Sequence, residues 1–193
     1  MAWDTEGTKR KILEAATAQF VAKGPDGTTI EKVARESGVN KERVYNYFRG
    51  KSGLFEAVLR EQVVSAAAAV PVPTTGPDDL GEYAGLLYDY LQERPELMRL
   101  LMWEALTMDE VVDEPDRRAM YADRTADLAR GQAAGALSGA VDPDLLNVLI
   151  LGIVGYWSML PQVSCMITGR DGEAEQARRR AAVVEAARRI GAP

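Results

Sequence analysis

The chain has 193 residues, 47% hydrophobic and 27% charged, enough for one ordinary core or a small module joined to a larger one. A single cysteine, Cys165, excludes an intrachain disulfide framework, and the absence of histidine removes the commonest general base and metal ligand. The net charge of −6 is uneven: residues 1–60 hold 11 Lys+Arg against 8 Asp+Glu, residues 61–193 hold 12 against 21, and every lysine lies at or before Lys51. A polyanion is therefore expected to meet the front of the chain, not the acidic remainder.

Met1 to Arg10 is polar and no apolar run follows, so no signal peptide is expected. Thr8 to Lys23 reads as a helix with Ile12, Leu13, Ala16 and Phe20 on its buried side, ended by Gly24-Pro25. The next stretch, TTIEKVARESGVNKERVYNYFRGK at residues 28–51, has the pattern of a helix-turn-helix. A helix is expected to begin at Thr28, with Glu31 completing a capping box and Ile30, Val33 and Ala34 on one face. Gly38 suits the turn, and Asn40 can cap a second, short helix. That helix would expose Lys41, Glu42, Arg43, Tyr45, Asn46 and Tyr47 and turn Val39, Val44 and Phe48 inward. Such a surface offers charges, amide donors and hydroxyls to a DNA groove and its flanking phosphates.

About residues 8 to 60 resemble the DNA-binding domain of TetR-type transcriptional regulators, through TKRKILEAATAQFVAKG, TTIEKVARESGV and VYNYFRGKSGLFEAVL. The Tyr-x-Tyr-Phe run followed by Lys-Ser-x-Leu is the most specific part, and Pro25, where the family often has an aromatic, is a departure. The resemblance implies an all-α chain: a three-helix helix-turn-helix domain over residues 1–52 and a larger helical ligand-binding and dimerisation domain over 53–193, about nine helices. It also implies that Tyr45 and Tyr47 lie against the DNA backbone and that Lys51 holds a phosphate with the amides of the next helix start. Thr28 and Thr29 are candidates for a similar role. Arg43 is the candidate base reader, pairing with guanine O6 and N7, and Glu42 can accept from cytosine N4, orient Arg43 or simply face solvent near the helix start. Lys41 and Asn46 are secondary candidates.

Beyond residue 52 the patterns are all helical, with no strand signal and no repeat. A helix over about Ser52 to Ala69 has its front half in the DNA module and its rear half in the next domain, and VPVPTTGP at 70–77 breaks it. Leu80, Tyr83, Ala84, Leu87, Tyr90 and Leu91 form an apolar stripe. After Pro95, the helix carrying Leu97, Met98, Leu100, Leu101, Met102, Trp103 and Leu106 is expected to be buried nearly all round. Residues 116–139 follow, with Gly131, Gly135 and Gly139 spaced for close helix packing, and residues 142–167 and 173–190 give the last two helices.

Leu145 to Ile167 carries no charge over 23 residues, long enough to span a bilayer, but Asn147, Ser158, Pro161, Gln162 and Ser164 interrupt it. A buried interface helix is the competing reading. By the resemblance, two C-terminal helices of each subunit form a four-helix dimer core, here the helices with Ile150, Val154, Tyr156 and Trp157 and with Val183, Val184, Ala187 and Ile190; the faces that meet are not legible. The family resemblance further implies a small-molecule effector that releases DNA. Tyr90, Met98, Met102, Trp103, Tyr121 and Trp157 are candidate contacts for a flat or greasy effector, equally suited to a core, with Glu104 a candidate polar anchor or salt-bridge partner.

The function expected is a cytoplasmic, sequence-specific regulator, by family habit a repressor, that binds a palindromic operator as a homodimer without a membrane partner. No nucleophile motif, phosphate loop, dinucleotide fingerprint, cofactor or metal set points to an enzyme. A helical adaptor that has lost DNA binding is the alternative.

Overall fold

The computed structural model describes residues 5–70, 76–169 and 172–193, which form ten helices and no strand. They are α1 (Thr5–Gly27), α2 (Ile30–Ser37), α3 (Lys41–Phe48), α4 (Lys51–Ala69), α5 (Pro77–Glu93), α6 (Glu96–Thr107), α7 (Glu114–Ala133), α8 (Pro143–Met159), α9 (Pro161–Thr168) and α10 (Glu173–Gly191). Most of the VPVPTTGP break lies outside the described residues; α4 ends just before it. Packing divides the chain into one compact unit of Met1–Ser65 with Arg99–Asp113 and a second of Ala66–Met98 with Glu114–Pro193.

In the first unit α1 breaks at Gly24, whose φ of 67° and ψ of 179° interrupt the helix where Gly24-Pro25 was expected to end it. Ile12, Ala16 and Phe20 of α1 are fully buried, as are Leu54, Phe55, Val58 and Leu59 at the front of α4, and Phe20 and Phe55 pack edge to face at 5.1 Å. This buried front half holds α4 in the first unit as far as Ser65. The Trp103 indole of α6 lies over Gly24, so closely that a Cβ there would come within 2.7 Å of the ring. α6 is not buried all round: Leu100 is enclosed but Leu106 is 75% exposed, because α6 packs by one stripe only. Glu104 is buried, and its Oε1 accepts from the Val112 backbone N–H at 2.7 Å. The adjoining Asp113 binds Arg60 of α4 through two bonds of 2.7 and 3.0 Å.

The second unit is centred on α5 and α10. The small residues that permit close packing are Gly81 and Gly85 of α5: a Cβ on either would come within 3 Å of Val184 of α10. The expected spacing at Gly131, Gly135 and Gly139 does not serve this purpose, since α7 ends at Ala133 and the latter two glycines face open space. Leu146, Ile150 and Val154 of α8 and Val183 and Ala187 of α10 complete the core. The charge-free stretch is two helices, α8 and α9, bent by 88° at Leu160-Pro161, where proline cannot continue the preceding ladder. Among the described residues no single helix is long and apolar enough to cross a membrane.

Candidate nucleic-acid interface

The α2–turn–α3 corner is fixed by its own caps. Thr29, not Thr28, begins α2: its hydroxyl accepts from Lys32 N–H at 3.3 Å. Thr28 is buried, and its hydroxyl donates to the Gly24 carbonyl at 2.8 Å, so its side chain ties α1 to α2 and is not presented to a ligand. Gly38 ends α2 in the left-handed region with φ 69°, and Asn40 caps α3 through its side-chain oxygen, which accepts from Arg43 N–H at 3.0 Å. Val33 of α2 and Val44 of α3 are fully buried. Val39 and Phe48 are only partly covered.

On α3, Lys41, Glu42, Tyr45 and Asn46 are exposed, with Tyr45 at 50%. Arg43 and Tyr47, one turn apart and hence on a common flank, are half-buried. That flank faces α1: Lys9 Nζ lies 6.0 Å above the Tyr47 ring, and Arg43 lines a polar recess of about 430 Å³ with Thr8, Lys11, Ser37 and Asn40.

The chain leaves α3 through Arg49 and Gly50, both at positive φ, and enters α4 at Lys51. Gly53 lies so close to the Phe48 carbonyl that a Cβ would stand 2.1 Å from that oxygen. This approach brings the amide-bearing start of α4 up beside the end of α3. Lys51 is half-buried there, 4.0 Å from the carboxylate of the largely exposed Asp26, a weak pairing that leaves the ammonium competent for a phosphate. Sequence reasoning passed over Gly53 and Lys11; the first was visible only as the variable letter of Lys-Ser-x-Leu, the second as one of several lysines on α1.

In the second unit the expected dimer residues fall differently. Ile150, Val154, Val183 and Ala187 are buried in the unit's own core, and Val184 packs on Gly81 and Gly85. The outward apolar face is formed by Val148, Leu149, Gly152, Ile153 and Tyr156 of α8 with Ala182 and Ala186 of α10, around an apolar groove of about 650 Å³ that Trp157 also lines. Val148 is 64% exposed and Leu149 46%. The correction has a simple cause: α8 is apolar on both faces, and composition does not say which one turns inward.

The candidate effector contacts scatter. Met102 and Trp103 belong to the first unit, with Trp103 against Gly24. Met98 lies against Gly155 of α8, Tyr121 is half-buried on α7, and Trp157 carries the Arg179 guanidinium 5.4 Å from its ring centre. The Tyr90 hydroxyl and Glu96 Oε2 are buried with no hydrogen-bond partner among the described residues. Burial pushes the Tyr83 and Tyr88 phenols up, with Arg124 and Arg179 respectively opposing. Glu175 accepts from Arg178 and Arg179, which hold its carboxyl down at about 2. Among the described residues no group of carboxylates and thiols is arranged to hold a metal.

Residues 12–58 match the family described as bacterial regulatory proteins, tetR family, and residues 79–189 match the tetracyclin repressor-like, C-terminal domain. The HTH-type transcriptional repressor SCO4008 of Streptomyces coelicolor is 36% identical over 190 residues, covering 97% of this chain and 96% of that protein. The HTH-type transcriptional regulator RutR of Escherichia coli K12 is 30% identical over 172 residues, 83% of this chain and 78% of its own. The solved structure of SCO4942 from Streptomyces coelicolor superimposes with a TM-score of 0.83 at 29% identity, covering 95% of this chain and 98% of the other.

Proposed function

Because the chain belongs to the TetR family of DNA-binding transcriptional regulators, we propose that it is a repressor that binds a palindromic operator as a homodimer and leaves it when a small molecule enters its second unit. The observation that carries the DNA half of this reading is α3 itself, an eight-residue capped helix whose exposed side chains are a cation, a carboxylate, a phenol and an amide, with a buried valine behind them. Lys41, Glu42, Tyr45 and Asn46 face the major groove; Arg43 and Tyr47 form its flank; Thr29 and Lys51 sit at the neighbouring helix starts, where backbone N–H groups favour phosphate. On this reading the DNA contacts come from residues 1–52, and pairing and effector binding from within 53–193, of which 53–65 and Arg99–Asp113 pack with the first unit.

Pairing is supported by the outward apolar face of α8 and α10, whose exposed Val148, Leu149 and Tyr156 a monomer has little reason to keep. Two copies joined there by a two-fold axis would present two α3 helices to successive major-groove faces. Effector binding is supported by the unpartnered Tyr90 hydroxyl and Glu96 carboxylate oxygen, which call for a ligand with a hydrogen-bond donor. Such a ligand releases DNA only by favouring the arrangement that binds DNA less well. The family it belongs to, bacterial regulatory proteins, supports a place of action in the cytoplasm, where a bacterial chromosome lies.

Selection of bound duplexes from a random pool at moderate salt tests the proposal. An enriched inverted repeat is the expected result. Binding without enrichment would remove the specific operator, and no salt-sensitive binding at all would favour a helical adaptor of the same fold.

A further inference from the structure

We infer that the recess between the first turns of α1 and the start of α3 is the seat of a DNA backbone phosphate, held by Lys11, Thr8 and Arg43, so that Arg43 grips the strand beside the groove instead of reading a base. This inference rests on the DNA-binding reading above.

Three observations converge on it. Among the described residues the recess is lined by two cations from different helices, Lys11 and Arg43, together with the hydroxyl-bearing Thr8 and Ser37 and the amide-bearing Asn40. A concave site with that lining focuses positive potential where a single anionic group fits. Next, Thr8 and Lys11 stand three residues apart on α1 and so share one face, while Arg43 and Tyr47 stand four apart on α3 and share the flank that meets it. The Lys9 ammonium above the Tyr47 ring is a further contact between α1 and that flank of α3. Finally, the register of α3 places Glu42 and Asn46, both exposed, at its outward apex. When that apex points at base edges, the α1 flank points at the strand bounding the groove. The half-buried Arg43 then lies on the phosphate side, and base discrimination falls to Glu42 and Asn46, which can accept from cytosine N4 and pair with adenine.

The test uses the full-length protein, the duplex obtained by selection and a scrambled duplex of equal length. Affinities are measured by fluorescence anisotropy across a salt series for the wild type and for Lys11→Gln, Arg43→Gln and Arg10→Gln. Arg10 is exposed on the same helix and stands 3.9 Å from Glu14, outside the recess. Lys11→Gln and Arg43→Gln are each expected to weaken both duplexes by the same factor and to lower the salt slope by about one ion per protomer. Repeat selection with Arg43→Gln should return the wild-type sequence, and Arg10→Gln should change neither affinity nor slope. An unchanged slope for Lys11→Gln, or a new preferred base for Arg43→Gln, overturns the phosphate seat while DNA binding stands. A wild type with no salt-dependent binding overturns both.

Discussion

Gly53 offers DNA no side chain, yet the reading head depends on it. Its missing Cβ lets the Phe48 carbonyl sit where a methyl group would otherwise be, 2.1 Å away, and so sets the angle between α3 and α4. Gly53→Ala is expected to force that backbone apart, costing about 1–3 kcal/mol of stability and weakening every DNA sequence alike. Thermal melting and anisotropy on the same samples check this; unchanged affinity would show that the corner tolerates the shift. At this scale much was legible. The caps at Asn40 and Gly38 follow from residue type alone. The exchange of roles between Thr28 and Thr29 was not legible, since two adjacent threonines present the same chemistry and only the Gly24 carbonyl, brought close by the α1 break, selects the one that turns inward.

Helix α10 carries eight charged side chains among its 19 residues and packs chiefly on α5. Its Arg179 is nearly buried, stacked on Trp157 and bonded to Glu175. The folded carboxyl of Glu175, at about 2, lies below its ordinary value of 4.5. Ionised Glu175 therefore stabilises the fold at and above pH 4.5, and that contribution drains away as pH falls from there through about 2. Glu175→Gln should lower the melting temperature at pH 7, and the gap to wild type should narrow across that acid window. A gap independent of pH would mean that the pair acts through shape, not charge. Sequence periodicity found α5, α8 and α10 but could not orient α8, because its apolar residues encircle it. It also joined α8 to α9, since the charge-free composition runs through Leu160-Pro161 without a change.

For the whole molecule, the proposed pairing makes α8's outer face the controlling surface. Leu149→Arg adds a charge to a side chain that is already 46% exposed, so the monomer should fold as before. In a dimer the same charge would be buried without a partner, at a cost of several kcal/mol. Analytical ultracentrifugation is expected to show wild-type dimers and mutant monomers, and the variant should bind a palindrome no better than a half-site. Retained dimers would move the interface elsewhere. The break in unit continuity has a different bearing, on how such regulators are rebuilt. The DNA-reading unit is not one uninterrupted piece of chain: Arg99–Asp113 returns to it, with Trp103 seated on Gly24 and Asp113 forked onto Arg60. A hybrid regulator made by joining residues 1–65 to another member's remainder would inherit a foreign α6 beneath its own α1. Sensor exchange in this protein thus calls for a transplanted patch around Gly24 and Arg60, not for a single splice point.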